Sequence, residues 1–196
     1  MVIGDVMLDR YIEGSVSRIS PEAPVPIVHE ERFFYTPGGA ANVAHNLCNL
    51  GINVIQVGRV GHDFEGGLLK KELRKKGIDI KGIFTDTTIS TITKTRVIAQ
   101  HQQVVRIDKE RINMANSKQL LKKLFDYIEE KINVCDAIIL SDYGKGLITS
   151  ELVQYVCSLA LKKKKIITVD PKVEHFGYYR NVTAITPNQK ETENAI

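Results

Sequence analysis

Tryptophan is absent from these 196 residues, and cysteine occurs only three times. Cys48, Cys135 and Cys157 are widely spaced and odd in number, each in an apolar stretch. No disulfide framework, redox pair or metal-binding spacing can be drawn through them, so they read as small reduced core residues. No apolar run approaches the roughly 18 residues of a membrane span. The first residues run straight into Val2-Ile3-Gly4-Asp5 rather than a basic, then apolar leader. A cytoplasmic protein without a membrane partner is therefore expected. Charge of one sign is also scarce: 27 basic against 23 acidic residues leave only +4. The lysines at 162–165 and the cluster of Lys70, Lys71, Arg74, Lys75 and Lys76 end helix-like segments. Cations there complement the carbonyl end of the helix dipole. No aromatics interleave with them, so no nucleic-acid partner is expected.

Several chemistries are missing too. His29, His45, His62, His101 and His175 are scattered, with no His-Glu-x-x-His spacing and no nucleophile elbow. They read as surface or packing residues. There is no Gly-x-Gly-x-x-Gly after the first strand and no Walker A sequence, which argues against a nicotinamide dehydrogenase or a P-loop enzyme.

What is present is the composition of a globular protein, 43% hydrophobic and 26% charged. A chain of this length can bury roughly 70% of its unfolded surface as one domain. Helix-like periodicity starts after Gly38-Gly39 (Ala40, Val43, Ala44, Leu47), after Asp63 (Phe64, Leu68, Leu69, Leu73), after Ser117 (Leu120, Leu121, Leu124, Ile128) and after Thr149 (Leu152, Val153, Val156, Leu159). Between them lie short apolar runs at 2–4, 54–57, 137–140, 166–169 and 183–186. Strands alternating with helices of this length predict crossover units and a mostly parallel sheet. Two stretches break the rhythm. Residues 15–36 hold Pro21, Pro24 and Pro26 among alternating apolar positions, and 89–108 alternate as well. They predict antiparallel strands standing off the main body, with proline keeping one at an edge.

Ligands of open parallel sheets bind beyond the carboxyl ends of the strands. Those ends carry Asp5 and Asp9, Ser141-Asp142, Asp170-Pro171-Lys172, and Pro187-Asn188 with Glu191 a turn later. Each alone could be a turn former or a helix cap. Four on one rim predict a polar crevice. Gly38-Gly39 before a helix either makes a tight turn or lets backbone N–H groups approach a ligand.

The segments 3–9 (Ile-Gly-Asp-Val-Met-Leu-Asp), 37–44 (Pro-Gly-Gly-Ala-Ala-Asn-Val-Ala), 58–63 (Gly-Arg-Val-Gly-His-Asp) and 186–191 (Thr-Pro-Asn-Gln-Lys-Glu) together resemble the ribokinase-like (PfkB) carbohydrate kinases. Arg-Ile-Ser-Pro-Glu-Ala-Pro-Val-Pro at 18–26, Ser-Asp-Tyr-Gly-Lys-Gly at 141–146 and Val-Asp-Pro-Lys at 169–172 resemble the heptose 7-phosphate kinase branch. The resemblance spans essentially the whole chain. It implies a three-layer α/β/α sandwich with a mostly parallel sheet and a small antiparallel lid, residues 1–196 forming one domain with lid strands from about 11–36 and 89–108. It implies transfer of the ATP γ-phosphate to the position-1 hydroxyl of D-glycero-β-D-manno-heptose 7-phosphate, a step toward ADP-heptose and the lipopolysaccharide core. Asp9, Gly38, Gly39 and Asn42 would hold the sugar, with Asp142 beside them. Arg96, Arg106, Lys145 and Lys172 are unranked candidates for its phosphate. Asn188 and Glu191 would contact ATP, and Glu191 would help organise Mg²⁺. The lid would pair with a second copy in a homodimer. The family's Gly-x-Gly-Asp segment, with its catalytic aspartate, does not occur in this sequence. The resemblance therefore implies the N-terminal two-thirds of a kinase, inactive alone. A kinase of another sugar or nucleoside, or a sugar-phosphate-binding module without catalysis, are the alternatives.

Overall fold

The computed structural model describes residues 1–114 and 116–194. The chain opens with β1 (Val2–Gly4), β2 (Val6–Ile19) and β3 (Pro26–Gly39), then α1 (Ala40–Asn49), β4 (Ile55–Gly61), α2 (Phe64–Lys75) and β5 (Asp79–Asp86). A hairpin of β6 (Thr93–Ala99) and β7 (Gln102–Lys109) follows. The remainder is α3 (Lys118–Lys131), β8 (Ala137–Ser141), α4 (Ser150–Lys162), β9 (Ile166–Asp170), β10 (Ala184–Ile185) and the short α5 (Gln189–Glu193).

Six strands form one sheet in the order β10-β9-β8-β1-β4-β5, every pair parallel. Alternation along each strand sends residues to two separate cores. Ile3, Val57, Ile138, Leu140 and Val169 pack with Leu124 and Ile128 of α3 and Val153 and Val156 of α4. On the opposite face Val2, Val60 and Ile83 pack with Ala41 and Ala44 of α1 and Leu69 and Leu73 of α2. This is the three-layer sandwich. The helices start where a side chain satisfies an orphan amide. Asp63 accepts from Gly66 N, Ser117 from Leu120 N and Thr149 from Leu152 N.

The sheet grows from β1 toward β4 and β5 in the first half of the chain, and from β1 toward β8, β9 and β10 in the second. The direction of winding therefore reverses between β1 and β8, the place where an open sheet leaves a crevice at its carboxyl edge.

The second sheet has the order β3-β2-β6-β7. It begins directly at β1, since only Asp5 separates β1 from β2. β2 pairs antiparallel with β3 from Val6↔Gly39 to Ile19↔Pro26. Where the sequence predicts a purely antiparallel sheet, this one is mixed: β2 and β6 run parallel from Leu8↔Thr93 to Gly14↔Ala99. The reason is topological. The chain reaches β6 only after crossing α1, β4, α2 and β5, so it re-enters in the direction of β2. β6 and β7 then close a hairpin over Gln100 and His101, both at positive φ, the geometry of a two-residue turn that matches strand twist.

Candidate functional site

Two buried carboxylates build the crevice. Asp5 follows β1, and its Oδ2 accepts from the backbone N–H of Tyr143 (3.1 Å) and Lys145 (3.0 Å), its Oδ1 from that of Leu147 (3.1 Å). Burial pushes its pKa up, against the pull of the Lys145 and Leu147 amides. Asp142 follows β8, with Oδ1 accepting from Gly144 N (2.7 Å) and Oδ2 from Tyr179 Oη and His175 Nδ1, both at 2.6 Å. Its side chain has no exposed surface. The loop at 142–147 is thus stapled from two strands. Asp142, expected beside the sugar, spends its oxygens on this scaffold, because the tight turn at Gly144 (φ 64°) aims an amide at it.

Asp9 lies further along β2, where the strand has left the main sheet. Its Oδ1 accepts from Arg96 of β6 at 2.7 Å, and both side chains remain partly exposed. Burial alone would lower Arg96, but the hydrogen bond and charge of Asp9 raise it. Gly38 and Gly39 end β3 opposite Met7 and Val6. A Cβ on Gly38 would come within 2.7 Å of Asp9 Oδ2, and one on Gly39 (φ 55°) would meet the Asp5 carbonyl. That carbonyl is already bonded by Ala40 N at 3.0 Å, which starts α1 and sets Asn42 exposed in its first turn.

Tyr143 offers its backbone N–H to Asp5. Burial raises its hydroxyl pKa first, and the charges of Asp170, Asp9 and Asp5 add to the shift. Asp170 is raised by burial and then by the charges of Glu191 and Asp142. Asn188 and Glu191 form a reciprocal capping box: Asn188 Oδ1 accepts from Glu191 N (3.0 Å) and Glu191 Oε2 from Asn188 N (2.8 Å).

Each of the four basic candidates carries an acidic partner. Arg96 pairs with Asp9, and Arg106 with Asp108 at 2.9 Å on exposed β7. Lys145 Nζ reaches Glu110, just past β7, at 2.7 Å. Lys172 Nζ stands 3.5 Å from Glu174, with 43% and 66% of their side chains exposed. Arg59 is buried instead beneath the loop, on Asp86 (3.2 Å) and the carbonyls of Asn113 and Lys145.

Asp5, His175, Tyr179 and Tyr143 complete the site beyond the candidates the sequence offers. Asp5 was legible as a rim residue but not as an anchor, and no spacing links His175 to Asp142. Among the described residues, no three His, Cys, Asp or Glu side chains are grouped to hold a metal ion. A cavity of about 570 Å³ lies at the opposite edge of the sheet, lined by Val2, Val54, Asp79, Val134 and Ala137 at the amino ends of the strands. It contains none of the convergent polar groups just described.

A parallel sheet with a switch-point crevice and an outlying mixed sheet, closed by Gly-Gly and the capped Asn-x-x-Glu, defines a class of protein. The pfkB family carbohydrate kinase model matches residues 1–195, and the chain belongs to that family. Bifunctional protein HldE of Helicobacter pylori strain J99 is 45% identical over 196 residues, all of this chain and 42% of the relative. The protein of the same name from Magnetococcus marinus is 46% identical over 193 residues, 97% of this chain and 40% of that protein. The chain therefore spans about two-fifths of the length of these relatives. Among solved structures, a carbohydrate kinase from Agrobacterium tumefaciens superposes with a TM-score of 0.73 at 18% identity, covering 99% of this chain and 62% of that one. Arabidopsis thaliana ribokinase complexed with ribose and ATP gives 0.67 at 16% identity, covering 99% and 61%. These place the fold among the ribokinase-like kinases.

Proposed function

We propose that this chain supplies the acceptor-sugar site and lid of an ATP-dependent kinase. It would transfer the γ-phosphate to the position-1 hydroxyl of D-glycero-β-D-manno-heptose 7-phosphate, toward ADP-heptose. The observation that carries the reading is convergence. Gly38 abuts Asp9, Gly39 abuts the Asp5 carbonyl, and Asp5 holds the loop at 142–147, with Asn42 in the first turn of the helix that follows the glycines. The 45% identity to a protein named bifunctional HldE supports the heptose branch.

Asp9 and Asn42 supply the acceptor and donor groups that sugar hydroxyls need, and the glycines leave room for a ring to lie against backbone. The mixed sheet, joined to the body through Asp5, the Gly39–Ala40 junction, the segment at 87–92 and the chain after Lys109, would act as the lid. Closing it would keep water from competing as acceptor. Phosphoryl transfer depends on positioning and on stabilising spread negative charge rather than on covalent chemistry by the protein. Asn188 and Glu191, at the start of α5, would contact the ATP phosphates. Glu191, with Asp170, would help hold a divalent cation carried with the nucleotide through its water shell. Magnesium so bound would offset charge on the nucleotide phosphates.

The lid also supports a dimer. Its face away from Asp9 carries Ile12, Phe33, Val97, Val105 and Ile107 in register, with Phe33, Val105 and Ile107 exposed. A second copy would cover this apolar strip.

The test is calorimetric. The chain should bind D-glycero-β-D-manno-heptose 7-phosphate, and the product of the whole gene should release ADP from ATP and Mg²⁺ only when that sugar is present. Absence of both binding and turnover rejects the reading.

A further inference from the structure

The clamp on Asp142 has a feature that sugar binding does not explain. The two side chains that converge on Asp142 Oδ2 belong to residues that also hold the backbone of Lys172. Tyr179 Oη donates to Asp142 and accepts from Lys172 N at 3.2 Å. His175 presents Nδ1 to the same carboxylate, while its own N–H donates to Lys172 O at 2.9 Å. Both backbone groups of one lysine are thus fixed through one buried carboxylate. His175 is further restrained by stacking on Tyr178, 4.7 Å between centroids.

The side chain of Lys172 is directed as well. Its stem runs along Gly144: a Cβ there would lie 3.4 Å from Lys172 Cγ and 3.5 Å from Cε. The ammonium therefore stands over the loop that Asp5 and Asp142 pin at the mouth. Of the four basic candidates, Lys172 has the longest ion pair and the most exposed acidic partner. Displacing an exposed Glu174 at 3.5 Å costs little, whereas Arg96 and Lys145 would have to leave close pairs at 2.7 Å.

Resting on the reading above, we propose that Lys172 selects a phosphorylated over an unphosphorylated sugar, and that His175 and Tyr179 are positioning residues acting through Asp142. Lys172 is the charge that meets the substrate's own phosphate. His175 and Tyr179 touch no substrate and set where that charge stands.

The experiment compares two ligands, D-glycero-D-manno-heptose 7-phosphate and the same heptose without phosphate, by calorimetry on the whole chain. The wild type should favour the phosphorylated sugar by about tenfold or more, the size of one charge-assisted contact. Lys172→Met should erase that preference and leave the unphosphorylated sugar unchanged. His175→Leu and Tyr179→Phe should each reduce the preference, while His175→Asn, which keeps a donor near the Nδ1 position, should restore it. Thermal melts identify any variant that fails to fold, and Lys172→Met, at an exposed side chain, is the safeguard. A Lys172→Met that weakens both ligands alike, or neither, overturns the inference, as does a His175→Leu with unaltered preference. A wild type that binds both sugars equally also overturns it while leaving the kinase reading intact. A wild type that binds neither rejects the kinase reading itself.

Discussion

Arg96 on β6 reaches across to Asp9 on β2 at 2.7 Å, so the carboxylate expected to grip the acceptor sugar is held by a cation of the same outlying sheet. The pair links β6, which arrives after the crossovers through α1 and α2, to the strand that leaves β1. It also orients Asp9 before any ligand arrives.

Asp9→Asn should therefore weaken sugar binding by about 10- to 100-fold, the range of a hydrogen bond to a charged group. Melting should shift little, because the pair is partly exposed and such pairs contribute at most about 1 kcal/mol. Unchanged affinity would remove Asp9 from the site.

The two glycines should separate by what each perturbs. Gly38→Ala drives a methyl group against the Asp9 carboxylate, whose side chain can swing away. Affinity should fall about tenfold and stability by less than about 1 kcal/mol, since only a side chain moves. Gly39→Ala forces a Cβ onto positive φ and into the Asp5 carbonyl. It should cost upwards of about 2 kcal/mol in a urea melt, left-handed strain and clash together. Equal stability of the two variants would contradict the geometry.

Asp5→Asn replaces an acceptor by a donor where amides of the loop at 142–147 converge. The loss should be about 3 kcal/mol, from buried amides left unpaired. Sugar binding should weaken in step as the loop detaches. A stable variant with native affinity would show that the loop holds itself.

Asp63 gives a pH signature. Burial works against its charge, but the Thr91 hydroxyl (2.6 Å), Thr91 N (2.8 Å) and Gly66 N (2.9 Å) hold its carboxyl below the usual range. A depressed folded pKa contributes stability above the unfolded value near 4 that is lost as pH falls through the folded value. Asp63→Ala should cost about 1–2 kcal/mol at neutral pH, the size of a lost helix cap. The gap from wild type should close on acidification below about pH 4. A gap independent of pH would show that the cap acts without its charge.

Phe33→Glu with Ile107→Glu should convert a dimer to a monomer in sedimentation, while melting stays near wild type, as both side chains are exposed. A wild type that already sediments as a monomer contradicts the lid interface.

Local chemistry made much of this fold legible in the sequence. The caps Asp63, Ser117 and Thr149 and the apolar stripes behind them are signals within a few residues, and they begin helices as expected. β5 was not legible: it is an edge strand in which Lys81 is exposed and Gly82 interrupts the apolar run, so it lacks a buried-strand pattern. Nor was the parallel pairing of β2 with β6, which depends on the path between them. At the candidate site, Asp9, Asn188 and the glycine pair were offered by their position after apolar runs or before helix-like segments. The inward turn of Asp142 depends on His175 and Tyr179, more than thirty residues away and joined to it only by folding.

The most direct test of the account is where the sugar phosphate lands. Backbone amide shifts recorded by NMR during titration with heptose 7-phosphate should move most at Gly39, Asn42, Gly144 and Lys172, at the carboxyl edge of the sheet. Shifts concentrated instead at Leu47, Asn53 and Val134, around the cavity at the amino edge, would contradict it.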